Sequence, residues 1–298
     1  MQARPARQRQ RIDGDEVRVD KVGNLYVVAT PIGNLADMVP RALAVLQQVN
    51  WIAAEDTRHS GRLLDHFGID TPMIPYHDHS DTRQSQRLLD LLVQGSDIAL
   101  ISDAGTPLIS DPGYRLVRDA RALGVGIIPV PGPCAAIVAL SAAGLPSDRF
   151  AFEGFLPAKS RQRRKVLESL QSETRTLIFY EAPHRVLVSL EDMATLFGHG
   201  REALLARELT KAHETLIFAP LEVLIERVRE DGNQQRGEIV VIVRGAETAL
   251  EAYDDAEAVR ILSLLMAELP LKQAAALAAK ITGGSKNDLY QRALALKD

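Results

Sequence analysis

A chain of 298 residues with 46% hydrophobic and 25% charged residues is typical of a soluble globular protein, and its length predicts more than one domain. The single cysteine, Cys134, excludes an intramolecular disulfide and favours a reducing, cytoplasmic location. A net charge of −4 does not indicate a strongly basic nucleic-acid binder, although a global sum can conceal a local basic face. Two basic clusters, in residues 1–12 and 159–165, are either such faces or ordinary solvated surfaces.

Residues 1–22 are polar, rich in Arg and Gln and without periodicity, which predicts a disordered arm. From residue 23 to about 145, short apolar runs alternate with amphipathic segments, which predicts a β-α pattern repeated five times. The predicted strands are 24–29, 50–54, 72–76, 97–102 and 126–130, and the predicted helices are 38–48, 57–67, 80–94, 113–123 and 134–143. This alternation indicates a parallel sheet with crossover helices.

The stretch from Gly124 to Ser147 carries no charged residue and is long enough to cross a bilayer. Pro129, Pro131 and Pro133 interrupt it, so it is interpreted as a buried strand, a tight turn and a buried helix. The basic amino terminus has no apolar segment behind it and is not a secretory signal. We expect no association with a membrane.

Turn-forming residues at 144–148 predict a linker to a second α/β domain over residues 146–246. Its apolar runs at 150–152, 176–180, 203–206, 214–218 and 238–243 surround helices at about 159–172, 184–197 and 220–230, which predicts a mixed sheet. Residues 247–298 contain only helical patterns, at about 254–268, 271–281 and 285–297. The last two helices have the proportions of a helix-turn-helix with Ser285 as the cap, which serves either nucleic-acid contact or packing and dimerisation.

Three of the predicted strands of the first domain end in Gly/Pro loops, at 30–34, 102–107 and 131–135. Because the carboxyl ends of parallel strands face one crevice, these loops are expected to form the floor of one ligand site. No Gly-rich loop ending in Gly-Lys-Ser/Thr and no GxGxxG follows a strand, which disfavours a P-loop nucleotidase and the usual dinucleotide fold.

No metal site is predicted. His77 and His79 point in opposite directions if their segment is extended, and no Cys or HExxH pattern accompanies them. Cys134 lies at a helix start, a position where thiols are often reactive, but its small neighbours favour a packing role close to the ligand.

Charged residues follow four predicted strand ends, in the segments 55–59, 103, 181–185 and 207–211. Solubility alone explains charged residues at an exposed strand end. Four clusters of charged residues, each with potential partners of opposite sign, instead favour a polar active-site wall. These residues do not by themselves name a reaction.

Six motifs together resemble the family of ribosomal RNA small subunit methyltransferases I, which are 2'-O-ribose methyltransferases built on the tetrapyrrole methylase fold. The motifs are VATPIGNL at 28–35, AEDTR at 54–58, SDAGTP at 102–107, DPG at 111–113, PGP at 131–133 and YEAPHR at 180–185. The resemblance covers residues 24–245, and the helical tail also fits. One departure is Cys134, where the family often has serine after Pro-Gly-Pro, which puts a hydroxyl hydrogen bond in doubt.

The resemblance implies two α/β domains of the tetrapyrrole methylase type, S-adenosylmethionine bound between them as methyl donor, a cytidine ribose in the decoding region of small-subunit RNA as acceptor, and a homodimer. The donor-site residues that it implies are Pro31, Gly33, Ser102, Asp103, Ala104, Gly105, Pro107, Gly132, Pro133, Cys134, Ala135, Tyr180 and Glu181. The candidates for activating the ribose hydroxyl or gripping the RNA backbone are Arg58, Glu181, His184, Arg185, Glu208 and Lys211.

Three alternatives remain at this point. In the first alternative, each catalytic candidate forms a structural ion pair and takes no part in the reaction. The same fold also methylates small tetrapyrroles, which suit an acidic protein. A non-catalytic RNA-binding assembly factor that retains the fold is the third.

Overall fold

The computed structural model describes residues 22–77, 82–247 and 255–296. The predicted arm of residues 1–22, apart from Val22, lies outside these ranges, as do His79 and the first residues of the helix predicted from residue 80. The chain divides between Ala135 and Ala136 into two compact units. The domain limits drawn from the sequence stay predictions.

The first unit contains a five-stranded parallel sheet in the order β3-β2-β4-β1-β5, which confirms the predicted parallel architecture. Its strands are β1 (Asn24–Val28), β2 (Trp51–Ala54), β3 (Met73–Pro75), β4 (Ile98–Ile101) and β5 (Gly126–Val130). Its helices are α1 (Pro40–Gln48), α2 (Thr57–His66), α3 (Thr82–Val93) and α4 (Tyr114–Ala122), and α5 (Ala135–Ala142) begins at its end. All four residues of β4 are buried, as expected for a central strand covered on both faces.

Successive side chains of a strand alternate between the two faces of the sheet, so each face has its own core. Leu100 packs on one face with Leu88 of α3 and Leu116 of α4. Ile101 packs on the other face with residues of α1 and α2. The uncharged run 124–147 therefore consists of a strand, a turn and a helix, and no helix among the described residues is long and apolar enough to span a bilayer.

The second unit contains a mixed sheet in the order β6-β7-β10-β8-β9, in which only β6 and β7 are parallel, as the sequence predicts. Its strands are β6 (Phe150–Phe155), β7 (Thr176–Glu181), β8 (Glu202–Arg207), β9 (Thr215–Pro220) and β10 (Ile239–Val243). Apolar residues of α6 (Ser160–Ser169), α7 (Val186–Phe197) and α8 (Leu221–Glu230) form a core with one face of this sheet.

The last three helices are α9 (Asp255–Glu268), α10 (Leu271–Thr282) and α11 (Lys286–Ala295), and they share a small core of their own. Gly283 ends α10 in the left-handed conformation, with φ of +74°. The Ser285 hydroxyl then accepts a hydrogen bond from the Asp288 amide at 3.4 Å, so it caps α11 as predicted.

Candidate functional site

The three Gly/Pro loops of the first unit lie side by side, because β1 is hydrogen-bonded to both β4 and β5. The Thr30 amide donates to the Gly105 carbonyl at 2.9 Å, and the Gly105 amide donates to the Thr30 carbonyl at 3.1 Å. The Thr106 hydroxyl donates to the Pro133 carbonyl at 2.9 Å. All three loops therefore belong to one hydrogen-bonded surface at the carboxyl edge of the sheet.

Two glycines permit this close approach. A Cβ on Gly132 would lie 2.8 Å from the Ala29 Cβ, which is closer than real Cβ contacts allow. Gly105 has a φ of +77°, a conformation that side chains disfavour, and a Cβ there would lie 3.3 Å from Cγ2 of Ile32. A larger residue at either position would push the loops apart.

Asp103 is the exposed acidic group of this surface. Its Oδ1 accepts a hydrogen bond from the Asp56 amide at 3.1 Å, which ties the end of β2 to the same site. Its other oxygen has no hydrogen bond to the described residues. The site thus combines small, closely packed loops with one carboxylate oxygen available to a positively charged ligand.

Asp111 lies in the same β4–α4 loop, in the DPG motif, and no site role was predicted for it from the sequence. Burial raises the pKa of Asp111 to about 6, the Asp103 charge adds to this effect, and a hydrogen bond with the Ser102 side chain opposes it. The loop holds Leu108 and Ser110 at φ of +76° and +64°. Such conformations are costly for residues with side chains and are concentrated at functional sites.

The remaining donor-site candidates of the first unit also lie on these three loops. Pro31 and Pro107 are buried, Gly33 and Gly132 are exposed, and Ala104, Pro133, Cys134 and Ala135 are intermediate. Cys134 immediately precedes α5. The structure thus brings together every donor-site candidate between Pro31 and Ala135.

In the second unit, Tyr180 and Glu181 end β7. The Tyr180 hydroxyl accepts a hydrogen bond from the amide of Ala136, the residue after the third loop, at 3.2 Å. Glu181 is only 2% exposed. Its Oε2 accepts from the Ser189 hydroxyl, whereas its Oε1 accepts from the Ala182 amide at 2.8 Å and pairs with Arg185 at 2.9 Å. Both oxygens of Glu181 are therefore engaged within this unit.

Glu208 and Lys211 follow β8 and form a network with Glu238. The Lys211 ammonium lies 2.8 Å from a Glu208 oxygen and 3.1 Å from a Glu238 oxygen. Burial lowers the pKa of Lys211, but the two carboxylates outweigh it and raise the pKa above its usual value. Burial likewise raises the pKa of Glu208, but hydrogen bonds from Lys211 and the Glu238 amide outweigh it, so the pKa of Glu208 is lowered. Both groups are charged at neutral pH.

His184 and Arg58 are the most open of the candidates. His184 lies exposed on the 3₁₀ turn Pro183–Arg185 and makes no hydrogen bond or ion pair with any residue that the structure describes. The Arg58 side chain is 93% exposed at the start of α2, with its Nε 3.7 Å from Asp56 Oδ1.

Register places five of the six catalytic candidates at one edge of the second sheet. Ile239 of β10 is paired with both Glu181 and Arg207, so the ends of β7 and β8 lie at the same level. His184 and Arg185 follow β7, and Glu208 and Lys211 follow β8. Arg58 belongs to the first unit.

Arg207 supports this edge; it lies in the charged segment 207–211, but no catalytic or donor-binding role was predicted for it. It is 8% exposed, and its Nη2 donates to the His213 carbonyl at 2.9 Å and to the Thr215 hydroxyl at 3.0 Å. It therefore holds the loop in which Glu208 and Thr210 have φ of +51° and +65°. A charged residue at the end of an apolar strand run is the only sequence signal for this role.

Among the described residues, no group of three or more His, Cys, Asp or Glu side chains has the arrangement of a metal site.

The family model for Tetrapyrrole (Corrin/Porphyrin) Methylases matches residues 24–225. Among solved structures, uroporphyrin-III-C-methyltransferase from Thermus thermophilus has a TM-score of 0.54 at 20% identity and matches 74% of this chain and 94% of its own. Diphthine synthase has a TM-score of 0.58 at 14% identity and matches 74% of this chain and 90% of its own. The fold is thus that of the tetrapyrrole methylase class.

A second model, described as the RsmI C-terminal HTH domain, matches residues 252–297. The ribosomal RNA small subunit methyltransferase I of Pseudomonas aeruginosa is 62% identical over 273 residues, which are 91% of this chain and 97% of that protein. The protein of the same name from Escherichia coli O157:H7 is 58% identical over 91% of this chain and 95% of its own. The chain belongs to the ribosomal RNA small subunit methyltransferase I family, and it is a methyltransferase.

Proposed function

We propose that this chain transfers a methyl group from S-adenosylmethionine to the 2'-oxygen of a cytidine ribose in the decoding region of small-subunit (16S) ribosomal RNA. The observation that carries the donor assignment is the convergence of three strand-end loops around the exposed Asp103 carboxylate. The relatives named for small-subunit RNA support the acceptor assignment. A cytoplasmic location and the homodimer implied by the resemblance stay predictions.

The residues of the three loops fit an adenosine-bearing sulfonium. Gly105 and Gly132 let the three loops pack tightly enough to form one surface, and Asp103 offers a carboxylate oxygen to a positive charge. Pro31, the segment 102–107 and the segment 132–135 would hold the donor, with Tyr180 and Glu181 as further candidates. When bound, the donor supplies an already activated methyl group. The protein's main contribution is then to orient the acceptor oxygen, which is worth about 7–11 kcal/mol.

The ribose hydroxyl must lose its proton to become a good nucleophile, so a base within hydrogen-bond reach is required. Arg58 and Arg185 carry guanidinium groups, which donate hydrogen bonds and do not accept them. Lys211 is held protonated by two carboxylates, and the carboxylates of Glu181 and Glu208 already accept hydrogen bonds. His184 has an open imidazole, and we assign it the role of proton acceptor.

The other candidates then have supporting roles. Arg185 holds Glu181 in place, and Lys211 holds Glu208 and Glu238. Arg58, exposed and only loosely paired, is suited to grip an RNA phosphate.

To identify the methyl acceptor, the protein and labelled donor are incubated in three separate reactions. These contain small ribosomal subunits, naked small-subunit RNA or a porphyrinoid. We expect label on the ribose of a decoding-region cytidine. Label on the porphyrinoid alone would favour the tetrapyrrole alternative, and failure to bind the donor at all would favour a non-catalytic assembly factor.

The test of the base compares His184→Gln with His199→Gln, since His199 is exposed on a turn outside the sheet edge. We expect His184→Gln to lower the single-turnover methylation rate by roughly 10²- to 10⁴-fold while the donor dissociation constant is unchanged. His199→Gln should behave as the wild type. A normal rate in His184→Gln would overturn the assignment.

A further inference from the structure

An exposed aromatic ring lies at the carboxyl end of β6 in the second unit. Phe155 is 55% exposed, although it belongs to a strand of a folded sheet. It is in register with Tyr180 of β7, and the two rings are 5.6 Å apart at 67° in an edge-on arrangement. The Tyr180 ring also contacts the Phe152 ring, with a centroid distance of 4.9 Å. The Phe155 ring therefore packs against Tyr180 and is otherwise open to solvent.

The helix that follows carries positive charges without partners. Residues 159–165 contain five cations, of which Arg163 and Arg164 face Asp192 of α7 at 2.7 and 3.5 Å. Lys159, Arg161 and Lys165 are exposed, and their side chains form no ion pair or hydrogen bond with residues in the described part of the chain. The single acidic residue of α6, Glu168, lies in its last turn and forms no ion pair with them.

The exposed face of α6 is positively charged. Asp192 offsets the charge of the buried Arg163 and lies 3.5 Å from Arg164, whose side chain is 43% exposed. Lys159, Arg161 and Lys165 have no carboxylate partner among the described residues, so this face is positive on a protein whose net charge is −4. The first turn of α6 contains no acidic residue, so its free amide groups add to the positive potential. A partner for this face must therefore be anionic.

We propose that Phe155, Lys159, Arg161 and Lys165 form a binding surface for a single-stranded segment of the acceptor RNA, in which a base stacks on Phe155 and phosphates contact the three cations. We call these four residues the α6 platform. The proposal rests on the proposed function, because it assigns a place to the RNA of that reaction. Aromatic rings beside cations are the general means by which proteins hold single strands without reading their sequence.

The dimensions and position of the α6 platform suit this partner. Phe155 and Lys159 are four residues apart, which limits their Cα separation to about 14 Å, a span of a few nucleotides. Phe155 contacts Tyr180, which directly precedes Glu181 and the turn that carries His184. A nucleotide stacked on Phe155 would therefore lie near the edge of the second sheet that holds the catalytic candidates. A base inside a duplex is covered on both faces by the neighbouring bases, so the surface selects single strands.

The first experiment measures fluorescence anisotropy of a labelled single-stranded RNA with the decoding-region sequence. Phe155→Leu keeps an apolar side chain but removes the aromatic face, and we expect RNA affinity to fall roughly 5- to 150-fold. Phe155→Tyr should retain wild-type affinity. Phe218→Leu is the matched control, because Phe218 is 47% exposed on β9 and has no cationic helix after it.

The second experiment measures the salt dependence of the same binding. In the triple variant K159Q/R161Q/K165Q, we expect the slope of log affinity against log salt concentration to become shallower by about 2, since each lost phosphate contact contributes about 0.7 for a single strand. The control R115Q/R118Q/R121Q removes three exposed cations of α4 and should leave the slope unchanged. Calorimetry should show wild-type binding of S-adenosylmethionine in every variant.

The outcomes separate this proposal from the proposed function. If the wild type binds neither the RNA nor small subunits, the proposed function itself fails. If the wild type binds but Phe155→Leu binds equally well, or the triple variant keeps the wild-type slope, the α6 platform is overturned. Equal loss of affinity for a duplex RNA would also overturn it, because paired bases cannot stack on Phe155.

Discussion

Asp111 shows how one residue links the strained β4–α4 loop to the chemistry of the donor surface. Its pKa is raised to about 6 by burial and by the charge of Asp103, so in the folded protein this carboxyl is ionised at neutral pH and becomes protonated in mildly acidic solution. A positive charge placed beside the loop would favour the ionised form. Donor binding is therefore expected to weaken below pH 6.

The same shift predicts a pH effect on stability. The pKa of Asp111 is higher in the folded than in the unfolded state, where it is near 3.8, so the folded state binds more protons between these values. The free energy of unfolding therefore falls as pH rises from 4 to 6. In Asp111→Asn this contribution is absent, and after discounting for solvent exposure we expect a difference on the order of 1 kcal/mol.

Urea unfolding at pH 4.5 and pH 7 checks this expectation. Relative to the wild type, Asp111→Asn should gain stability on going from the lower to the higher pH. Parallel pH profiles for the two proteins would show that Asp111 has an ordinary environment in solution.

Glu181 allows a second prediction at the residue scale. Glu181→Ala would leave the largely buried Arg185 without its carboxylate partner, and we expect a loss of about 3–5 kcal/mol in the free energy of unfolding. Ser189→Ala removes only one hydrogen bond to Glu181 and should cost about 1–2 kcal/mol.

Chemical denaturation of the two variants measures both effects. A Glu181→Ala protein with wild-type stability but no methylation would instead indicate that the carboxylate acts directly on substrate.

At the scale of secondary-structure elements, periodicity predicted each strand of the first sheet to within about two residues, because these strands are continuous apolar runs between turn formers. It also predicted that their exits meet, since parallel strands end at a common edge. It did not predict which loop atoms pair. The bonds that join Thr30 to Gly105 and Thr106 to Pro133 depend on the exact register of β1, β4 and β5.

The contact between the first and third loops predicts the effect of adding one methyl group. In Gly132→Ala the new Cβ would lie 2.8 Å from Ala29, so the ends of β1 and β5 must separate. We expect a loss of about 1–3 kcal/mol in stability and at least a tenfold loss in donor affinity, measured by calorimetry.

Gly200→Ala is the control, because a Cβ there meets no atom within 4 Å. It should bind the donor as the wild type does. Unchanged donor binding in Gly132→Ala would mean that the third loop does not contact the ligand.

At the scale of the whole molecule, the helices α9 to α11 have a core that is separate from the cores of the two sheets. Gly245 and Ala246 still pack against the segment that precedes β7, where the Ala246 amide donates to the Glu173 carbonyl at 2.6 Å. A chain that ends at Glu247 therefore keeps the contacts of the second sheet. We expect it to fold cooperatively and to bind the donor within about threefold of the wild type.

Thermal unfolding and donor calorimetry test this truncation. Loss of cooperative folding would show that the sheets depend on the three helices.

The sequence by itself determined the order of the elements, the parallel first sheet, the mixed second sheet, the ligand-facing loops and the family, because periodicity, turn residues and short motifs are local properties. Only the tertiary structure decided which charges are available. The Asp56 amide donates to the Asp103 carboxylate across 47 positions, Arg163 pairs with Asp192 across 29, and Lys211 pairs with Glu238 across 27. A long-range ion pair forms only when folding brings distant groups within about 4 Å, so the paired Arg163 looked the same in the sequence as the open Lys159 and Arg161.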